Sequence, residues 1–248
     1  MLRLHIGSTL SPCAILWIDQ VPIEAEAIIF DVGHTILFPE APFILELARR
    51  HGGEMPLDAF DRLGAVAKAE AYSANPKDRY EQWFTRWMTG AGVATSALPA
   101  VFEALIERHR EVGLWNSLEP TLPETFVRLR DRGFKLGVIS NSDGTARQLL
   151  ERHDVDQYFG SVIDSAIVGV EKPDARIFLL GAEELAVAPE RCVYVGDQIE
   201  VDVRGSEAVR MQPVLIDPYG LGEQPPCPRI TRLSEVLNLV DLPGQHSG

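Results

Sequence analysis

Cysteine is scarce: Cys13, Cys192 and Cys227 are the only three in 248 residues. Their number is odd and their spacing fits neither a disulfide framework nor a zinc site, so a reducing, cytoplasmic setting is expected. Positive charge is also short, with 23 Lys and Arg against 36 Asp and Glu and a formal net charge of −13. Such a mean field repels nucleic acids and anionic membranes, and neither is expected as a partner. An anionic substrate then has to be met by a local cluster of cations or by a metal. Long apolar runs are missing. The stretch 14–18 is too short to span a bilayer and is followed by Asp19, Gln20 and Pro22. It also lacks the basic start, longer apolar run and small-residue cleavage site of a secretion signal. No repeat or low-complexity block is present. What remains, 46% apolar and 24% charged residues, is the composition of a soluble globular protein. The length suits one large domain or a domain carrying an insertion.

Short, nearly continuous apolar runs at 27–30, 135–139, 161–163, 192–195 and 213–216 read as strands buried on both faces, as in parallel sheets. Helical patterns lie between the later ones, at 123–132, 142–152, 174–186 and 203–209. Strand alternating with helix predicts an α/β fold. After the first strand comes a long stretch with helical patterns only, at 42–50, 58–72, 78–88 and 98–111, broken by Gly52-Gly53, Asn75-Pro76 and Gly90-Ala91-Gly92. An all-helical insertion is expected there, with Trp83 and Trp87 in its interior. Residues 1–26 read as an N-terminal extension with one added strand, 221–228 as a loop, and the last residues as a frayed tail.

Chemistry gathers just past the ends of three strands. Ile28-Ile29-Phe30-Asp31-Val32-Gly33-His34-Thr35 puts a carboxylate at the carboxyl end of the first, where open α/β sheets bind ligands. Val138-Ile139-Ser140-Asn141-Ser142 offers a hydroxyl and backbone N–H groups ahead of a helix. Val193-Tyr194-Val195-Gly196-Asp197, followed by Asp202, adds two carboxylates, and Gly169-Val170-Glu171-Lys172-Pro173-Asp174 brings a cation. Taken singly, such residues also serve as caps and turn formers.

With all four motifs in this order over residues 27–217, the chain resembles the haloacid dehalogenase-like superfamily of hydrolases, in the subgroup with a helical cap inserted after the first strand. The resemblance implies an α/β, Rossmann-like parallel sheet core with an inserted all-helical cap domain. The implied organisation is an extension at 1–26, a core at 27–38 and 120–240, a cap at 39–119 and a flexible tail at 241–248. It also implies Asp31 as nucleophile and Ser140 and Lys172 as phosphate ligands, with Asn141, Gly33 and His34 beside the substrate. A magnesium ion is implied on Asp31, Asp197, Asp202 and the Gly33 carbonyl. The expected partner is a small phosphorylated metabolite, and the expected assembly a monomer or homodimer.

The physics of phosphoryl transfer fits those roles. A phosphate dianion and a carboxylate nucleophile repel each other, so a divalent cation bridging both favours attack, and magnesium suits an all-oxygen site. The departure is Gly33, because most phosphatases of this family carry there a second Asp that protonates the leaving oxygen. His34, next in sequence, is a candidate for that proton, although adjacent turn residues need not point the same way. Four readings stay open: a magnesium-dependent phosphatase working through an aspartyl phosphate, C–P cleavage of the phosphonoacetaldehyde hydrolase type, a haloacid dehalogenase, and a non-catalytic phosphate-binding protein. The second needs a cap lysine, for which the insertion offers Lys68, in an Ala-rich helix, and Lys77, beside Asn75-Pro76.

Overall fold

A computed structural model describes residues 22–72, 78–221 and 225–244. Cys13, the apolar stretch 14–18 and Lys77 lie outside them. In chain order come β1 (Ile23–Glu24), β2 (Ala27–Phe30), β3 (Leu37–Pro39) and four helices, α1 (Ala41–Arg50), α2 (Leu57–Tyr72), α3 (Arg79–Gly90) and α4 (Leu98–Val112). There follow β4 (Trp115–Leu118), α5 (Leu122–Asp131), β5 (Lys135–Ser140), α6 (Ala146–Arg152), β6 (Ser161–Asp164), α7 (Ser165–Val168) and α8 (Ala175–Glu184). The chain continues through β7 (Cys192–Gly196), α9 (Arg204–Glu207), β8 (Gln212–Ile216), β9 (Arg229–Ile230) and β10 (Val240–Asp241).

Six strands form one parallel sheet in the order β6-β5-β2-β7-β8-β9. This is the α/β core expected from the alternating pattern, with the Rossmann-like parallel sheet that the family resemblance implies. Every residue of the central strand β2 is buried, and its side chains alternate between two layers. Ile28 and Phe30 pack with Phe126, Leu136, Val138 and Val195 on one face; Ala27 and Ile29 pack with Ile139, Ile177, Phe178 and Cys192 on the other. Burial on both faces explains why these strands read as continuous apolar runs.

The helices between β3 and β4 have their own interior, in which Ile44, Phe60, Trp83, Trp87, Met88 and Val101 are buried. The two indole N–H groups, which burial would otherwise leave unsatisfied, donate to Gly64 O and Phe60 O, each at 2.8 Å.

Four local expectations are corrected. The stretch read as helical only is framed by an antiparallel ribbon in which Leu37 pairs with Leu118 and Pro39 with Trp115; strands this short show no periodicity. The helix expected at 142–152 begins at Ala146, because the Asp164 carboxylate takes the Gly144 and Ala146 N–H groups at 3.0 and 3.1 Å and holds the preceding residues as a loop. The helix expected at 203–209 is a π-helical turn, Ile199–Val203, running into the short α9. Asp241, expected in the tail, pairs in a strand with Glu24, and the Arg132 guanidinium donates to its carboxylate at 2.8 Å. No helix among the described residues is long and apolar enough to cross a membrane.

Candidate active site

Parallel pairing brings the motifs to one edge of the sheet. Phe30 lies in register with Val138 on one side and Val195 on the other, so the residues just beyond these strands converge. Asp31 leaves β2 with its N–H donating to Val195 O at 2.8 Å. The chain then folds into a tight turn in which the N–H groups of Ile36 and Leu37 share the Val32 carbonyl, at 2.9 and 2.8 Å. His34 sits in that turn at φ 60.

Past β7, the π-helical turn carries Asp202 back beneath Gly196. A Cβ on Gly196 would lie 2.4 Å from the Asp202 Cγ, so only glycine admits the carboxylate. The Gln198 N–H donates to Asp202 Oδ2 at 3.0 Å. One oxygen each from Asp31, Asp197 and Asp202 lies within 4.8 Å of the others.

Lys172 neutralises two of these three carboxylates. Its Nζ donates to Asp31 Oδ1 at 2.6 Å, Asp202 Oδ1 at 2.7 Å and Tyr194 Oη at 3.0 Å, which uses all three ammonium protons. Its main chain is gripped by Asn141, whose Nδ2 donates to Lys172 O at 2.9 Å and whose Oδ1 accepts the Lys172 N–H at 2.8 Å. Asn141, expected beside the substrate, therefore has its amide engaged with the lysine's backbone. Ser140 is buried at the end of β5, level with Asp164 of β6.

Burial and crowding set the charges. Burial pushes the Asp31 carboxyl up to about 7, opposed by Lys172 and reinforced by Asp202 and Asp197. Burial likewise raises Asp197, with Lys68 opposing. Burial alone would lower Lys172, but Asp202 and Asp31 outweigh it and hold the ammonium well above its usual range. His34 is held well below the usual histidine range, and so neutral, by burial and the neighbouring Lys68.

The helical insertion also reaches this edge. Lys68 of α2 donates from Nζ to Asp197 Oδ2, while Asp197 Oδ1 is buried without a hydrogen-bond partner. Trp115 of β4 stands over the turn; a Cβ on Gly33 would come within 3.3 Å of its Nε1. His34 is enclosed by aromatic rings, its centroid 5.1 Å from Trp83 and 6.3 Å from Trp115, with Nε2 unpartnered. Three clustered carboxylate oxygens, one buried oxygen lacking a donor, and an acid held protonated up to about 7 suit a hard divalent cation, which favours oxygen ligands. Of the expected residues, Asp31, Asp197, Asp202 and Lys172 come together, with Ser140, Gly33 and His34 around them. Sequence reasoning missed Tyr194 and Trp115. A tyrosine inside the otherwise aliphatic Val193-Tyr194-Val195 was the available signal for the first; nothing local marks the second.

Comparison with known proteins points to one family. The family model described as "Hydrolase: haloacid dehalogenase-like hydrolase" matches residues 25–210. A glyceraldehyde 3-phosphate phosphatase of Methanopyrus kandleri is 30% identical over 203 residues, covering 77% of this chain and 83% of the relative. A phosphoserine phosphatase of Thermus thermophilus is 30% identical over 182 residues, covering 73% and 71%. The crystal structure of a HAD phosphatase from Thermococcus onnurineus superposes with a TM-score of 0.57 at 27% identity, covering 86% of this chain and 96% of that one. The chain is a hydrolase belonging to the haloacid dehalogenase-like family.

Proposed function

We propose that the protein is a magnesium-dependent phosphatase acting on a small phosphorylated metabolite, with Asp31 as nucleophile. The observation that carries this is the Lys172 ammonium bridging Asp31 and Asp202 at 2.6 and 2.7 Å beside Asp197. The cluster combines a carboxylate at a strand tip, a fixed cation and a further acidic pair, as in-line attack on a phosphate dianion requires. The names of the phosphatase relatives support the substrate class. In this reading residues 39–119 cap a core of 27–38 and 120–240, joined through the β3–β4 ribbon.

An oxygen of Asp31 attacks phosphorus while the bond to the leaving oxygen breaks, giving an aspartyl phosphate that water later hydrolyses. Lys172 opposes the burial that holds Asp31 protonated and places its positive charge beside the phosphoryl oxygens, Ser140 donates to the same group, and Asn141 fixes the lysine by its backbone. Asp31, Asp197, Asp202 and the Gly33 carbonyl would hold the magnesium ion, which when bound offsets the charge of nucleophile and phosphate. No carboxyl stands at position 33 to protonate the leaving group. Substrates whose leaving oxygen needs little protonation are therefore favoured, since proton transfer by a positioned group is typically worth about 10²–10⁴ in rate. Asp31→Asn should lower magnesium-dependent phosphate release from p-nitrophenyl phosphate by roughly 10³-fold or more while leaving the far-UV circular dichroism unchanged. Full activity in a verified variant would exclude this mechanism.

The position of Lys68 supports a second reading. An insertion lysine within reach of Asp197 is what C–P cleavage through a Schiff base would need, and borohydride trapping of a carbonyl phosphonate on Lys68 would favour it.

A further inference from the structure

Helix α2 uses two faces. Phe60, Ala67 and Ala71 are buried in the interior of the insertion, whereas Asp61 and Lys68, two turns apart, both reach the core. The Tyr219 hydroxyl donates to Asp61 Oδ2 at 2.5 Å, and Lys68 donates to Asp197 Oδ2 across 129 positions of sequence. The Lys68 and Asp197 side chains are only 9% and 10% exposed. The insertion is thus seated on the loops after β7 and β8 by one face of one helix, and its cation rests on a carboxylate of the cluster suited to a metal.

We infer that Lys68 and a divalent cation compete for Asp197, so that loading the metal unseats Lys68 and frees its ammonium for the anionic substrate. The inference rests on the metal-dependent reading above. Charge carries the argument. Asp31, Asp197 and Asp202 face two ammonium groups, Lys172 and Lys68, which leaves one negative charge when all are ionised. A dication entering with Lys68 in place would overshoot to one positive charge, with two cations crowded on one buried carboxylate. With Lys68 withdrawn the cluster is neutral, and Asp197 Oδ1, buried and without a donor, gains the partner it lacks. A phosphate dianion arriving afterwards restores the demand for positive charge, and Lys68 is the cation of the insertion already at that spot. Lys172 cannot exchange in the same way, because its backbone is tied to Asn141 and its ammonium also holds Asp202 and Tyr194.

Calorimetric titration of the full-length protein with Mn²⁺ tests this. Lys68→Met, which keeps the unbranched stem and removes the charge, should bind Mn²⁺ about tenfold or more tighter than wild type, while Lys68→Arg should bind it like wild type. Hydrogen exchange in α2 of the wild type should speed up on adding Mn²⁺ and slow again with vanadate, a phosphate mimic. Equal Mn²⁺ affinity in wild type and Lys68→Met overturns the inference and leaves the metal-dependent reading standing. Absence of Mn²⁺ binding in both overturns that reading and the inference with it. If Lys68→Met does not fold, Lys68→Gln replaces it with the same expected gain in affinity.

Discussion

The core side of the site and the side presented by the helical insertion contrast in how their polar groups are satisfied. On the core side, Lys172 spends every proton, Asp202 accepts from Lys172 and the Gln198 N–H, and Asn141 closes both ends of its amide on the lysine's backbone. In the turn after β2 and at Asp197, which Lys68 of the insertion reaches, His34 Nε2, Thr35 Oγ1 and Asp197 Oδ1 are buried without partners. A buried polar atom left unpaired is costly, so these three call for a partner, whether water, a cation or a substrate. The difference separates a half whose polar groups satisfy one another from a half that needs partners from outside the chain.

The sharpest way to break this contrast is to unpair the built half. Lys172→Met would leave Asp31 and Asp202 buried without their shared cation. Stability in urea should fall by about 3–5 kcal/mol, the usual cost of stripping one partner from a buried pair, and phosphatase turnover should vanish. A loss below about 1 kcal/mol would show that the network is not the rigid element described.

Next in size is the pH dependence of Asp31. Its carboxyl is raised to about 7 in the fold by burial, whereas the unfolded chain ionises near the ordinary carboxylate value. Between those values the folded state binds more protons than the unfolded, so this group's contribution to stability falls as pH rises and is fully lost above about 7. Asp31→Asn removes the penalty. In metal-free protein the variant's stability advantage over wild type should be about 1–3 kcal/mol larger at pH 8 than at pH 5, and Mg²⁺ should cancel it by binding the ionised form of the wild type. An advantage independent of pH would place the Asp31 pKa in its ordinary range.

The smallest effect concerns the other half. Gly33→Asp should raise the alkyl-to-aryl phosphate rate ratio by roughly tenfold, below the usual worth of a positioned acid, because the new Cβ must displace the Trp115 indole that approaches to 3.3 Å. Adding Trp115→Leu should enlarge the gain. A ratio unchanged in both would mean that another group of the insertion already supplies the proton or that the reaction needs none.

The core was legible because its signals are local. Strands buried on both faces read as apolar runs, and the candidate motifs lie at the carboxyl ends of β2, β5 and β7, which any parallel sheet must gather at one edge. The approach of the insertion was not legible. Lys68 lies in an Ala-rich helix with nothing in its neighbours to mark Asp197 as its partner, and Trp115 belongs to a strand too short to show a period. The pairing of the Asn141 amide with the backbone of Lys172 was not legible either, because it is set by the return of a distant loop.

The β3–β4 ribbon, in which the chain leaves and re-enters the sheet side by side at Leu37 and Leu118, has a consequence for descent. Seen from the core, everything between those two residues is a single hairpin loop of great length. The entropy of closing a loop rises only with the logarithm of its length. Such an insert can be lengthened, shortened or exchanged without disturbing the register of any strand beneath it. The residues at the strand tips can thus be inherited unchanged while the segment that approaches them is rewritten, a change that the sheet scarcely registers.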